Sequence, residues 1–146
     1  MTYDFYIFYG AGASGDRRIS LVLGNPGQQC TGVQKIAQTF TKLFLTDRGS
    51  VNGDPAMGTD FMSALRTGTI RDENTLQAAF QSAVIDVLNY VSQYQLDTTP
   101  ADEQLTQAIL VTWDLQPDRL SIKVALTSAA GTTREYVLPI STGVSQ

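Results

Sequence analysis

The chain has 146 residues, 42% hydrophobic and 16% charged, with a formal net charge of -4, one cysteine and no histidine. That length suits one domain with a sizeable core, and the low charge fits a globular chain that leaves surface for partners. An acidic balance without a Lys/Arg run gives no electrostatic footprint for nucleic acid, and the missing histidine excludes a Ser-His-Asp triad, a Cys-His nucleophile and the usual zinc sites.

Cys30 has no second cysteine for an internal disulfide and is expected to be a small packing residue. No apolar run approaches the roughly 20 residues that cross a bilayer. Met1-Thr2-Tyr3-Asp4 lacks the basic region of a signal peptide, so synthesis in the cytoplasm is expected.

The first predicted element is a strand over Tyr3 to Tyr9, with Tyr3, Phe5, Ile7 and Tyr9 on one face and both faces apolar or aromatic. Gly10 to Gly15 reads as a mobile hairpin tip. It is no phosphate cradle, because no Lys-Ser/Thr follows and no helix opens at its end. Arg18 to Leu23 returns as a second strand, and Gly24-Asn25-Pro26-Gly27 is a turn. Beyond it Val33, Ile36, Ala37, Phe40, Leu43 and Phe44 fall at the spacing of an amphipathic helix that stops near Thr46. A polar loop over Asp47 to Pro55 leads to a short helix, capped by Thr59 or Asp60, with Phe61 and Leu65 facing inward.

Asp72 or Asn74 opens the longest helix, whose apolar stripe is Leu76, Ala79, Phe80, Ala83, Val84, Val87, Leu88 and Val91. Ile85, Tyr90 and Tyr94 lie off that stripe, where they can face solvent or a partner. Three strands close the chain. Ile109, Val111, Trp113 and Leu115 are expected on one buried face of the first. Leu120, Ile122, Val124 and Leu126 take the same role in the second, and Tyr136, Leu138 and Ile140 in the third. The tail from about 141 to 146 is expected to be loose. The order gives a single α+β domain over 1–146. Its antiparallel sheet, three C-terminal strands plus an N-terminal hairpin, is packed by two longer helices and one short helix.

Between the first two C-terminal strands lies the turn Gln116-Pro117-Asp118-Arg119-Leu120, where Pro117 fixes its φ and Arg119 brings a planar five-donor fork to the chain reversal. With its flanking strands, the turn resembles the Glu-Pro-Arg turn of the contractile-tail baseplate wedge and sheath-initiator family, which includes phage lysozyme-like wedge proteins and a type VI secretion baseplate subunit. Pro117, Arg119 and Leu120 fit. Gln116 stands at the family's Glu, and Asp118 is inserted between Pro and Arg, a carboxylate to which the Glu's role can pass. Leu45-Thr46-Asp47-Arg48-Gly49-Ser50, Asp54-Pro55 and Gly58-Thr59-Asp60-Phe61 are similar to the family's helix end and its aromatic-Gly-Ser segment, with Met57 in place of the aromatic. The element order matches from near Asp4 to Ile140.

The resemblance implies a structural virion protein of the tail baseplate with no cofactor or metal. It would bind the helical bundle of other wedge proteins through Gln116, Pro117, Asp118, Arg119 and Leu120, in a sixfold assembly around the tail tube. It also implies strand pairing with the tail sheath protein, for which the terminal strand, through Arg134, Tyr136, Leu138 and Ile140, is the expected template. The equivalent subunit of a tailocin or type VI baseplate would use the same sheet and turn.

The enzyme alternative is a peptidoglycan-cleaving tail lysozyme, which needs two carboxyls about 5 to 9.5 Å apart, one in an apolar site. Glu73, Glu103 and Glu135 each have a structural reading instead: helix-dipole partner, surface charge and cross-strand ion pair. Asp47, Asp54 and Asp60 share one loop without the spacing of an EF-hand. No catalytic residue is expected.

Overall fold

The computed structural model describes residues 4–5, 8–11, 17–19, 29–95 and 97–141. Its fold is α+β. In chain order come β1 (Asp4–Phe5), β2 (Phe8–Ala11), β3 (Arg17–Ile19), β4 (Gln29–Cys30), α1 (Val33–Leu45), α2 (Phe61–Arg66), α3 (Glu73–Tyr94), a 3-10 turn (Ala101–Glu103), β5 (Leu105–Leu115), β6 (Arg119–Ser128) and β7 (Thr133–Ser141). The main sheet has the order β2-β3-β7-β6-β5, and β1 pairs with β4 in a separate two-stranded sheet.

The strand expected over Tyr3 to Tyr9 is thus described as two short strands in different sheets. The hairpin return is described over Arg17–Ile19. Residues 12–16, the turn Gly24 to Gly27 and the tail beyond Ser141 lie outside the described residues. The sheet is antiparallel except where β3 meets β7, a parallel pair matching Arg17 with Tyr136 and Arg18 with Val137. Parallel neighbours need a long connection, and the chain through the three helices supplies it.

The helices and the inner face of the sheet share one core. Phe44 is fully buried at its centre, with ring centroids 5.3 Å from Phe40, 4.5 Å from Phe61 and 5.5 Å from Phe80. The apolar stripe of α1 is buried from Ile36 to Phe44, and that of α3 at Leu76, Phe80, Ala83, Val84 and Val87. Fully burying a large side chain of this kind contributes about 1.5 to 3 kcal/mol. Asp72 opens α3 by accepting the Thr75 N–H, while the Thr75 hydroxyl accepts the Asp72 N–H in a capping box. The Thr75 N–H and, at 2.9 Å, the Thr75 hydroxyl both donate to the Asp72 carboxylate and lower its pKa from the ordinary aspartate value.

In β6 and β7 the expected alternation holds: Leu120, Ile122, Val124, Leu126, Tyr136, Leu138 and Ile140 are all buried. In β5 it does not. That strand begins at Leu105, four residues before Ile109, and its register shifts between Leu105 and Gln107 and again between Leu110 and Thr112. The second shift inserts one residue opposite β6 and reverses the phase. Leu110, Trp113 and Leu115 therefore pack on the core, while Ile109 and Val111 are 48% and 39% exposed.

Candidate partner-binding turn

The hairpin between β5 and β6 closes where the Gln116 N–H donates to the Arg119 carbonyl at 2.8 Å and the Arg119 N–H donates back at 3.4 Å. Pro117 and Asp118 occupy the two central positions. No non-glycine residue of the described chain has positive φ, so the turn is not of the primed types usual in two-residue hairpins. Pro117 suits the first central position of an unprimed turn.

Pro117, Asp118 and Arg119 are exposed at the tip, and Gln116 is half-buried. Leu120, expected to touch a partner, is instead fully buried in the core. Its side chain anchors the hairpin and is closed to a partner, because the alternation that exposes Arg119 turns Leu120 inward.

The Arg119 Nε donates to the Gln116 Oε1 at 3.0 Å, and the Gln116 Nε2 donates to the Asp114 Oδ2 at 3.1 Å. This relay suits an amide at position 116. An amide can accept from a guanidinium and donate to a carboxylate at once, whereas Glu can only accept. The arginine's side-chain partner is Gln116, not the inserted Asp118.

Two hollows flank the turn. One of about 490 Å³ is lined by Arg66, Gly68, Ile70, Arg71, Gln116 and Pro117. The other, about 520 Å³, is lined by Asp114, Arg119, Ser121, Val137, Pro139 and Ser141. Arg66 pairs with Asp47, and the Arg71 Nε donates to the Gly68 carbonyl at 2.8 Å. Three guanidinium groups thus border this end of a chain that is acidic overall.

The second stretch of resemblance is bonded to its neighbours in the fold. Thr59 is fully buried, donates its hydroxyl to the Phe44 carbonyl at 2.9 Å and accepts the Phe61 N–H at 3.3 Å. It thereby serves the start of α2, where Asp60, the N-cap by position, makes no side-chain cap bond. Asp47 and Thr59 form a parallel bridge, with the Thr59 N–H on the Thr46 carbonyl at 2.9 Å and the Arg48 N–H on the Thr59 carbonyl at 3.1 Å.

The three loop aspartates diverge. Asp47 takes Arg66, Asp54 accepts the Tyr90 hydroxyl, and Asp60 lies 3.9 Å from Arg48, which also pairs with Asp86. No cluster of metal-ligating side chains occurs among the described residues. The Asp54 bond raises the Tyr90 pKa well above the usual tyrosine value. Tyr90 is therefore tied to the loop, whereas its ring neighbour Tyr94 and Ile85 are 60% and 58% exposed.

The glutamates sit in separate surroundings. Glu73 is in the first turn of α3 and accepts from Gln77 at 3.4 Å, Glu103 pairs with Lys35 at 2.7 Å, and Glu135 pairs across strands with Lys123 at 3.8 Å.

The terminal strand is not the sheet edge that its place in the sequence suggested. Strand β7 lies between β3 and β6, and Tyr136, Leu138 and Ile140 point into the core, leaving Arg134 exposed. The hairpin's return strand takes the flank of β7, so the last strand in sequence is interior in space. The outer C-terminal strand is β5. The sequence carries one signal for that edge: Leu105 to Trp113 contains no charge and no proline.

No family model, curated protein or solved structure matches the chain. Among the described residues, no helix is long and apolar enough to cross a membrane.

Proposed function

We propose that the chain is a structural baseplate wedge protein of a contractile phage tail, or of a tailocin or type VI injection apparatus built on the same plan. It binds the helical bundle of the large wedge proteins through its Pro-Arg turn and starts sheath assembly by strand pairing with the first sheath ring. The observation that carries the reading is the braced guanidinium at the exposed tip of a hairpin. Arg119 is oriented by the Gln116–Asp114 relay and bordered by two hollows.

Such a fork is pre-organised to take carboxylates or backbone carbonyls of a neighbour, and once buried there it contributes about 2 kcal/mol or more. Arg71 adds attraction for an acidic helical partner. Strand pairing is assigned to the outer edge of the C-terminal sheet, β5, since β7 has a strand on either side. The assembly is sixfold around the tail tube, within the virion.

The test is affinity capture of tagged wild type beside Arg119→Ala from cells assembling the parent particle. Wild type is expected to recover large wedge and sheath proteins, and the variant to lose the wedge set while melting at an unchanged temperature. Equal recovery by both would remove the turn from the interface. Recovery of neither set by wild type would sink the baseplate role.

A further inference from the structure

The outer edge of β5 lacks two of the devices that blunt an edge strand, charge and proline, although bulges interrupt it. From Leu105 to Trp113 it carries no Lys, Arg, Asp, Glu or Pro, and its most exposed large apolar side chain, Ile109, stands in the middle. Two register shifts bracket a short regular window, Gln107 to Leu110, paired with Thr127 to Val124 of β6.

Backbone polarity in that window follows from the hairpin. Gln116 and Arg119 exchange bonds, so Arg119, Ser121, Lys123, Ala125 and Thr127 are the residues of β6 that bond β5. Gln107 and Ile109, opposite Thr127 and Ala125, turn their backbone groups inward to β6. Ala108 and Leu110 turn theirs outward. Beside them lies a hollow of about 290 Å³ lined by Gln77, Phe80, Gln81, Ala108, Ile109 and Leu110.

We propose that this window binds a second copy of the chain, β5 against β5, antiparallel about a two-fold axis through Ile109. In that register Ala108 of each copy exchanges backbone bonds with Leu110 of the other, and both lie on the core side, where the hollow leaves them room. Ile109 meets Ile109 on the outer side, and Gln107 meets Val111. Every pairing keeps its face, as a two-fold sheet contact requires.

Charge permits this axis. The nearest charged residue in sequence, Asp114, falls opposite the neutral Gln104, whereas an axis through Asp114 would oppose two carboxylates. The contact is small and bounded by bulges, so the dimer is weak and gives way to an assembly partner that offers a longer strand. Self-pairing keeps the uncharged edge covered in the free protein. The contact does not involve the turn, and it occupies the edge assigned above to the sheath strand.

The experiment is sedimentation of the isolated full chain, kept reduced, over a concentration series. Wild type is expected to move from monomer toward dimer as concentration rises. Ile109→Lys, at an exposed position, is expected to keep the wild-type circular dichroism and remain monomeric. A wild type that is monomeric throughout, or an Ile109→Lys protein that dimerises like wild type, would overturn the proposal.

The register is checked in a Cys30→Ser background. A closely spaced non-hydrogen-bonded pair has the geometry of a disulfide. Ile109→Cys should therefore cross-link to itself upwards of about tenfold faster than Glu135→Cys, an exposed position on the same outer face, because pairing raises the effective concentration of the thiols. Equal rates would rule out this axis. A wild type that stays monomeric while Ile109→Lys fails to enter particles would assign the edge to a different chain.

Discussion

The two stretches that resemble the wedge family are both turn-rich and both contain an arginine and aspartates, yet the fold uses them in opposite ways. Residues 46–60 spend their polar groups on other elements: Thr59 is buried, Asp47 and Arg48 hold α2 and α3, and Asp54 holds Tyr90. In residues 114–119 Leu115 packs on the core while Asp114, Pro117, Asp118 and Arg119 are exposed, and the side-chain bonds of Arg119, Gln116 and Asp114 run from one to the next. A stretch whose polar groups are spent on other elements holds the fold. One that satisfies itself locally can be changed at little cost to the fold and is the better placed to meet a partner.

The comparison breaks most sharply at Gly58. Its φ is +106°, and a Cβ there would stand 2.5 Å from the Thr46 carbonyl oxygen, a backbone atom fixed by its bond to Thr59. Gly49 in the same loop also has positive φ, at +80°, but nothing lies near its missing Cβ. Gly58→Ala should destabilise by about 3 kcal/mol or more, and Gly49→Ala by about 1 kcal/mol, since only the first adds a backbone clash to the strain of the left-handed region. Denaturant unfolding of the pair measures the difference. Equal losses would mean that the loop yields and is no clasp.

A smaller effect is expected at Thr59. Thr59→Val keeps the shape but removes the acceptor of the Phe61 N–H and the donor to the Phe44 carbonyl, both buried. The loss should be about 1 to 3 kcal/mol, the range for leaving buried backbone groups unpaired. Thr59→Ser, which retains the hydroxyl, should recover most of it. If Val is tolerated as well as Ser, the hydroxyl does not fasten the loop.

The two long helices were legible because their stripes repeat at the helical period over three turns or more, and β6 and β7 because their period of two is unbroken. β5 was misread because one inserted residue leaves the alternation intact in sequence while reversing which half is buried; nothing local marks a bulge between Leu110 and Thr112. The interior place of β7 was hidden for a different reason. It depends on β3, more than a hundred residues earlier in the chain, and pairing at that distance leaves no local pattern. Of the site, the exposed Pro117, Asp118 and Arg119 were readable as a turn. That Leu120 turns inward follows from the same period of two, yet a motif taken as a block obscures it.

The smallest expected effect is the most telling about the turn. Gln116→Glu introduces a carboxylate beside the guanidinium, and against Arg119 alone it would exchange a neutral hydrogen bond for a charged one. Here it also removes the amide donor to Asp114 and sets two carboxylates side by side. The terms oppose each other at an exposed tip, so stability should fall by less than about 1 kcal/mol, and less still as salt screens the repulsion. Adding Asp114→Asn should reverse the loss, because the asparagine amide can donate to the new carboxylate while that carboxylate takes the guanidinium. A gain from Gln116→Glu with Asp114 intact would mean that the relay does not hold Arg119. The turn would then present its guanidinium through the backbone alone.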